Sequence, residues 1–239
     1  MTTVPEAMRA LFGFENLPNL PPRYNIAPTQ QVAVVRSGNG TGEGGGEDGA
    51  EGGARDLVMM RWGLIPHWAK DASMGSKMIN ARAETLTEKP SFREAVKTRR
   101  CLVPADGFYE WRMEDGHKQP FRIGMKGGVP FAFAGLWERW TATATGAGLD
   151  EGDEVETVTI VTTLANDKLR PIHARMPVIL PPEAFDVWLE PANDSRMVCA
   201  LLKPYPAEPM AFYRVGQAVN NVRNDDPGCI APLNAAAGG

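Results

Sequence analysis

The sequence of 239 residues has no long apolar segment. Its longest uncharged apolar run, about Val129 to Trp137, falls far short of the roughly 20 residues needed to cross a bilayer. The amino-terminal MTTVPEAMRALFGF has no signal-peptide core, so a cytoplasmic protein with no membrane partner is expected, nucleoid-associated if it binds DNA. Cysteine is scarce as well: Cys101, Cys199 and Cys229 form an odd set without CxxC spacing, which indicates neither a disulfide framework nor a cysteine zinc site. There is no GxSxG, no HExxH, no Ser-His-Asp set and no GxGxxG placed after a strand. The glycines of GEGGGE lack the lysine and the strand-to-helix context of a phosphate cradle. Nothing indicates a metal or an organic cofactor.

What is present, 43% hydrophobic and 23% charged residues, suits a globular chain with a real core and excludes disorder, collagen and coiled coil. The formal net charge of −4 argues at first sight against a nucleic-acid partner. The charge is, however, segregated. Residues 37–56 carry −4 among nine glycines and residues 141–157 carry −5, leaving +5 on the other 202 residues. Both acidic stretches read as solvated loop insertions with too little apolar content to pack.

Thr3 with Glu6, and Ser91 with Glu94, form capping-box patterns, predicting helices that start there; Gly13 is positioned to stop the first. QVAVVR and LVMMRW predict a hairpin around the first acidic loop, and PFAFAGLWERW and ETVTIVTT flank the second. CLVPADGFYEWRMEDGHKQPFRIGM predicts strands joined by a turn at Asp115 and Gly116, with Phe108, Glu110 and Arg112 on one face and Tyr109 and Trp111 on the other. PPEAFDVWL and SRMVCALL read as short amphipathic helices and MAFYRV as a late strand. The expected fold is α+β, a single domain over residues 1–239 with a mainly antiparallel, barrel-like β core flanked by short helices.

Several polar residues stand in settings that favour chemistry. Glu110 lies between aromatics in GFYEW, where burial raises a carboxyl pKa and suits it to acid or base work; the alternative is a solvated glutamate paired with Arg112 or Lys118. His173, in RPIHARMPVIL, is the best proton-transfer candidate of three histidines, while His67 and His117 read as surface residues. Asn80, Arg82 and Glu84 are two apart, so on a strand they share a face that binds a phosphate or forms an ion-pair ladder. Arg23 and Asn25 offer a second donor pair, and Trp62, Trp68 and Trp111 are either base-stacking platforms or core.

PPRYNIAPTQ, RWGLIPHWAKD, INARAET, KPSFREA, RRCLVPADGFYEW, KQPFRI, FAFAGLWE, PIHARMPVIL and NNVRNDDP together resemble, in order and spacing, the SOS-response-associated peptidase family of abasic-site processing proteins, from about residue 4 to 233. The resemblance implies a sensor of abasic sites in single-stranded DNA that crosslinks through the amine and thiol of an N-terminal cysteine, first as a Schiff base and then as a thiazolidine. It implies that Asn80 stabilises the crosslink, that Glu110 is the acid and base, and that His173 assists opening of the deoxyribose ring. Asn25, Arg82, Trp111 and Arg175 match positions expected to hold DNA, and Trp68 is added as a stacking residue. Relatives begin Met-Cys-Gly-Arg, whereas this sequence begins Met1, Thr2, Thr3, so it is expected to bind without crosslinking. The reading preferred is a downstream start or a trimmed chain; the alternative is a natural variant. HARM at 173–176 replaces the HDRM common in relatives, which removes a carboxylate at Ala174. A monomer on abasic single-stranded DNA is expected, with self-processing of the N-terminus as a peptidase, or non-catalytic strand binding, as alternatives.

Overall fold

The computed structural model describes residues 1–16, 19–38, 54–145 and 149–233. In chain order its elements are α1 (Pro5–Phe12), β1 (Gln31–Ser37), β2 (Arg55–Trp62), β3 (Asn80–Arg82), α2 (Ala95–Thr98), β4 (Arg100–Ala105), β5 (Phe108–Glu114), β6 (His117–Met125), β7 (Phe131–Thr141), β8 (Glu154–Leu164), β9 (Arg175–Pro177), β10 (Ile179–Leu180), α3 (Phe185–Leu189), α4 (Ser195–Cys199) and β11 (Met210–Arg214).

Strands β4, β1, β2, β8 and β7 pair in that order, and the β4–β7 ladder closes them into a five-stranded barrel. The β2–β8 pair is parallel and the other four seams are antiparallel, so the expected mainly antiparallel, barrel-like α+β fold is what the chain adopts. Alternation along the strands divides the core. Val32 and Val34 pack on one face of the wall with Val103, Phe133, Val158 and Ile160. Ala33 and Val35 pack on the other with Leu102, Ala134, Leu136 and Val161, against Phe12, Phe92 and Trp188 from the helical segments. A second sheet, β11-β6-β5, joins the barrel through the β4–β5 corner and the edge-to-face contact of Phe108 with Phe133.

The β5–β6 turn falls at Asp115 and Gly116, both with positive φ, as a two-residue hairpin requires. The capping boxes do not form. Helix α1 starts at Pro5, whose fixed φ favours the first helical position, with Val4 as an N-cap that makes no side-chain bond. Gly13 does end it, at φ 69°. The helix expected from Ser91 is reduced to α2, and Glu94 binds Lys97 instead of capping. Buried Arg100, two residues after α2, collects the carbonyls of Val96 and Lys97 within that helix and those of Trp188 and Glu190 at the end of α3.

Most of the first acidic stretch, residues 39–53, lies outside the described residues, but the strands it joins pair in full register from Gln31↔Arg61 to Ser37↔Arg55. The second stretch is shorter than 141–157, of which 146–148 lie outside the described residues. Strand β8 begins at Glu154, and Glu156 is held by Arg36 and Arg139 rather than solvated.

The segment from β2 to β3 turns at Gly63, φ 129°, where a Cβ would clash with the carbonyl oxygen of Gly75. Gly63→Ala is therefore expected to destabilise the protein by about 2 kcal/mol or more. Chemical denaturation should show a lower midpoint at unchanged slope.

Candidate active site

The site forms where β8 runs past the barrel. On one side β2 leaves after Trp62↔Val158 and β3 takes over in parallel, with Asn80↔Ile160 and Arg82↔Thr162. On the other side β7 leaves after Gly135↔Ile160, and residues 175–180 enter the gap: Val178 N–H donates to Val161 O, Ala134 N–H donates to Val178 O, and β9 pairs Thr162↔Pro177 and Leu164↔Arg175. Registered neighbours share a face, so Asn80, Arg82, Thr162, Arg175 and Pro177 are brought side by side. With Glu110, His173 and Met176 they line an open cleft of about 240 Å³.

Glu110 enters from β5, opposite Phe121 on β6. Its carboxyl, with a quarter of the side chain exposed, is raised above the ordinary glutamate value by desolvation, offset in part by His173. His173 Nδ1 lies 3.5 Å from Glu110 Oε1, 2.9 Å from the Arg175 carbonyl oxygen and 3.2 Å from the Arg175 amide nitrogen. The imidazole thus faces a carboxylate with its other contacts on the main chain, a geometry suited to passing one proton between the two side chains. The chain carries His173 there through a compact turn. Ala165 N–H donates to Ala174 O across its base, and Asn166 accepts from Leu169 N–H while donating to Tyr205 O.

The expected row of Asn80, Arg82 and Glu84 is only partly realised. Asn80 and Arg82 are exposed on either side of buried Ala81, but β3 ends at Arg82. Glu84 falls in the following 3₁₀ turn and binds Arg175 with both oxygens, at 3.1 and 2.9 Å. Arg82 makes no hydrogen bond or ion pair among the described residues, and so presents a free guanidinium.

Asn25 is a correction. It is buried at 5% exposure, and its amide nitrogen donates to the carbonyls of Val219, Asn221 and Asn224, which ties the PPRYNIAP segment to the NNVRNDDP segment. Asp225 completes that tie by accepting from Tyr24 N–H, Asn25 N–H and Arg23. Trp111 lies on the face of β5 away from Glu110 and donates its indole N–H to Asn220, so it does not line the cleft. Trp68 is about half exposed on the β2–β3 segment, outside the cleft lining, and Trp62 is held by Ile79 O. Thr162 was not anticipated: its sequence setting, VTTL, reads as ordinary strand, and only its pairing with both β3 and β9 brings it into the site.

Two expectations follow. Asn25→Ala strands three carbonyls and should cost about 1–3 kcal/mol in chemical denaturation. Because Glu110 has a raised pKa in the folded state, its ionised form opposes folding. Glu110→Gln should therefore raise stability at pH 7. The gain should be absent below the ordinary glutamate value, where both states are protonated, and should grow as pH rises through the folded value. Thermal melts across pH 3–8 check the sign.

Residues 1–222 match the profile of the SOS response associated peptidase (SRAP) family. The chain is 44% identical over 211 residues to the abasic site processing protein YoqW of Bacillus subtilis, covering 87% of this chain and 85% of that one. It is 36% identical over 203 residues to the abasic site processing protein HMCES of Gallus gallus, covering 75% and 58%. Among solved structures, one of a Bacteroides thetaiotaomicron protein superposes with a TM-score of 0.72 at 32% identity, covering 86% of this chain and 82% of that one. One of a Bordetella bronchiseptica protein gives 0.72 at 28%, covering 90% and 97%. Sequence match and shared barrel together lead to one conclusion: this chain belongs to the SOS response associated peptidase family.

Proposed function

We propose that the protein processes abasic sites in DNA, in single-stranded form, with Glu110 and His173 as its proton-transfer pair. The observation that carries this reading is the cleft itself. It opposes a raised carboxyl and an imidazole on one side to an amide and a free guanidinium on the other, which matches what a ring-opened sugar flanked by phosphates requires. Arg82 meets the phosphate, Asn80 hydrogen-bonds the sugar, and His173 moves the proton that opens the ring. The C1′ aldehyde then condenses with an amine, and Glu110 protonates the departing hydroxyl so that water leaves and an imine remains. A thiol on the same residue adds to the imine carbon and closes a thiazolidine.

That residue is the N-terminal cysteine the family resemblance implies. Cys101, Cys199 and Cys229 do not serve, because their nitrogens are in peptide bonds and Cys101 and Cys229 are buried. Met1 lies at the β4–β5 corner beside Asp106, which stands four positions before Glu110 in the chain, so residues attached ahead of Met1 would start near the strand that carries Glu110. The cleft lining holds no cysteine or serine; the peptidase activity we propose as the alternative is self-processing of a Met-Cys terminus, with Glu110 and His173 as acid and base.

The test is denaturant-resistant adduct formation with uracil-glycosylase-treated single strands. The present chain should bind and give no adduct, and a chain extended by Met-Cys-Gly-Arg and its following residues should give one. In the extended chain, Glu110→Gln or His173→Ala should slow adduct formation by about 100-fold or more. An extended chain that binds abasic strands without forming an adduct overturns the proposal.

A further inference from the structure

A carboxylate at the rim of a cleft that receives phosphates is electrostatically unfavourable, yet Glu84 sits there with about half its side chain exposed. Its partner explains why. A guanidinium has five N–H donors, and four of those on Arg175 are engaged. Nε donates to Thr162 Oγ1, Nη1 to Glu84, and Nη2 both to Glu84 and to the Thr162 carbonyl. The side chain is held flat over the end of β8, and one Nη1 N–H is left to donate elsewhere.

The same residue's main chain holds His173. The Arg175 amide and carbonyl both lie within hydrogen-bond distance of His173 Nδ1, the nitrogen that faces Glu110. Glu84 comes from the turn after β3 and Arg175 from β9, so their ion pair ties together the two strands that flank β8. The hydrogen bond from Arg175 also lowers the Glu84 carboxyl below its ordinary value, which favours the ionised form.

We propose that Glu84 is a positioning residue: by gripping the Arg175 guanidinium in two-point contact it fixes β9 against β8, and through the Arg175 main chain it sets the orientation of the His173 ring toward Glu110. With its carboxylate half exposed, this ion pair adds little to global stability, so its consequence is local geometry. The proposal deepens the abasic-site reading, and only its DNA-binding arm rests on that reading.

Two variants test it, Glu84→Gln, which keeps the shape and loses the charge, and Glu84→Asp, which keeps the charge on a shorter arm. The ring signals of the three histidines are followed by NMR, and binding of a fluorescent single strand carrying a tetrahydrofuran abasic analogue is measured alongside. Glu84→Gln should move the ring nitrogen signals of His173, leave those of His67 and His117 in place, and leave the unfolding midpoint nearly unchanged. It should also weaken strand binding by about fivefold or more, although it removes a negative charge from the cleft. Glu84→Asp should lie between wild type and Glu84→Gln in both measurements. Unmoved His173 signals in Glu84→Gln, or binding of the strand as tight as wild type or tighter, overturn the proposal. If the wild-type chain does not bind the strand at all, the DNA reading fails by itself and the His173 spectra alone decide the role of Glu84.

Discussion

Strand β8 has to find hydrogen-bond partners on both edges beyond the point where its barrel neighbours leave it, because a buried backbone group without a partner is costly. Its sequence, EVETVTIVTTL, is almost wholly β-branched and stays extended for 11 residues. On one edge β2 gives way to β3, and on the other β7 gives way to residues 175–180. Each replacement strand carries site residues. The requirement that closes the barrel therefore also places Asn80 and Arg82 on one side of Thr162 and Arg175 on the other, with His173 two residues before β9.

The charged groups follow a division of labour. Asp106, Glu114, Glu156, Asp225 and Glu84 are each held below the ordinary carboxylate range by arginines, N–H donors or, at Asp106, the N-terminal amine, in several cases against an opposing desolvation. They act as fixed anions that anchor loops and cations. Glu110 is moved in the opposite direction because desolvation in its partly dry setting beside Phe121 outweighs the lowering effect of His173. Carboxyls pushed apart in this way are suited to different tasks, the raised one to proton exchange and the lowered ones to orientation.

The acidic average of the chain belongs in the same picture. The two stretches that hold −9 connect consecutive strands of antiparallel pairs, β1 to β2 and β7 to β8, while Asn80, Arg82, Thr162, His173 and Arg175 come from other segments. The remaining +5 is modest, and of the arginines it includes, Arg175 is paired with Glu84. Arg82 is left as the cleft-lining cation without a partner among the described residues. Recognition on these terms is local, set by a few placed donors rather than by a broad basic field.

Local chemistry made much of this legible. β-branched and aromatic runs marked the strands, Asp115-Gly116 marked its hairpin, and Glu110 and His173 stood out because a carboxylate among aromatics and a rare histidine are locally unusual. The helix starts at Thr3 and Ser91 were misread because a capping box is a weak preference, overridden in the first case by Pro5 at the first helical position. Asn25 and Trp111 were legible as polar or aromatic residues in a turn and a strand, but which way each faces depends on segments nearly 200 and 109 positions away. The sequence by itself determined the periodicities, the family and the residue types available for proton transfer, because these are properties of neighbours along the chain. Only the tertiary structure decided that Thr162 enters the site, that Asn25 leaves it and that Glu84 grips Arg175, because those outcomes are set by which distant strands β8 takes as partners.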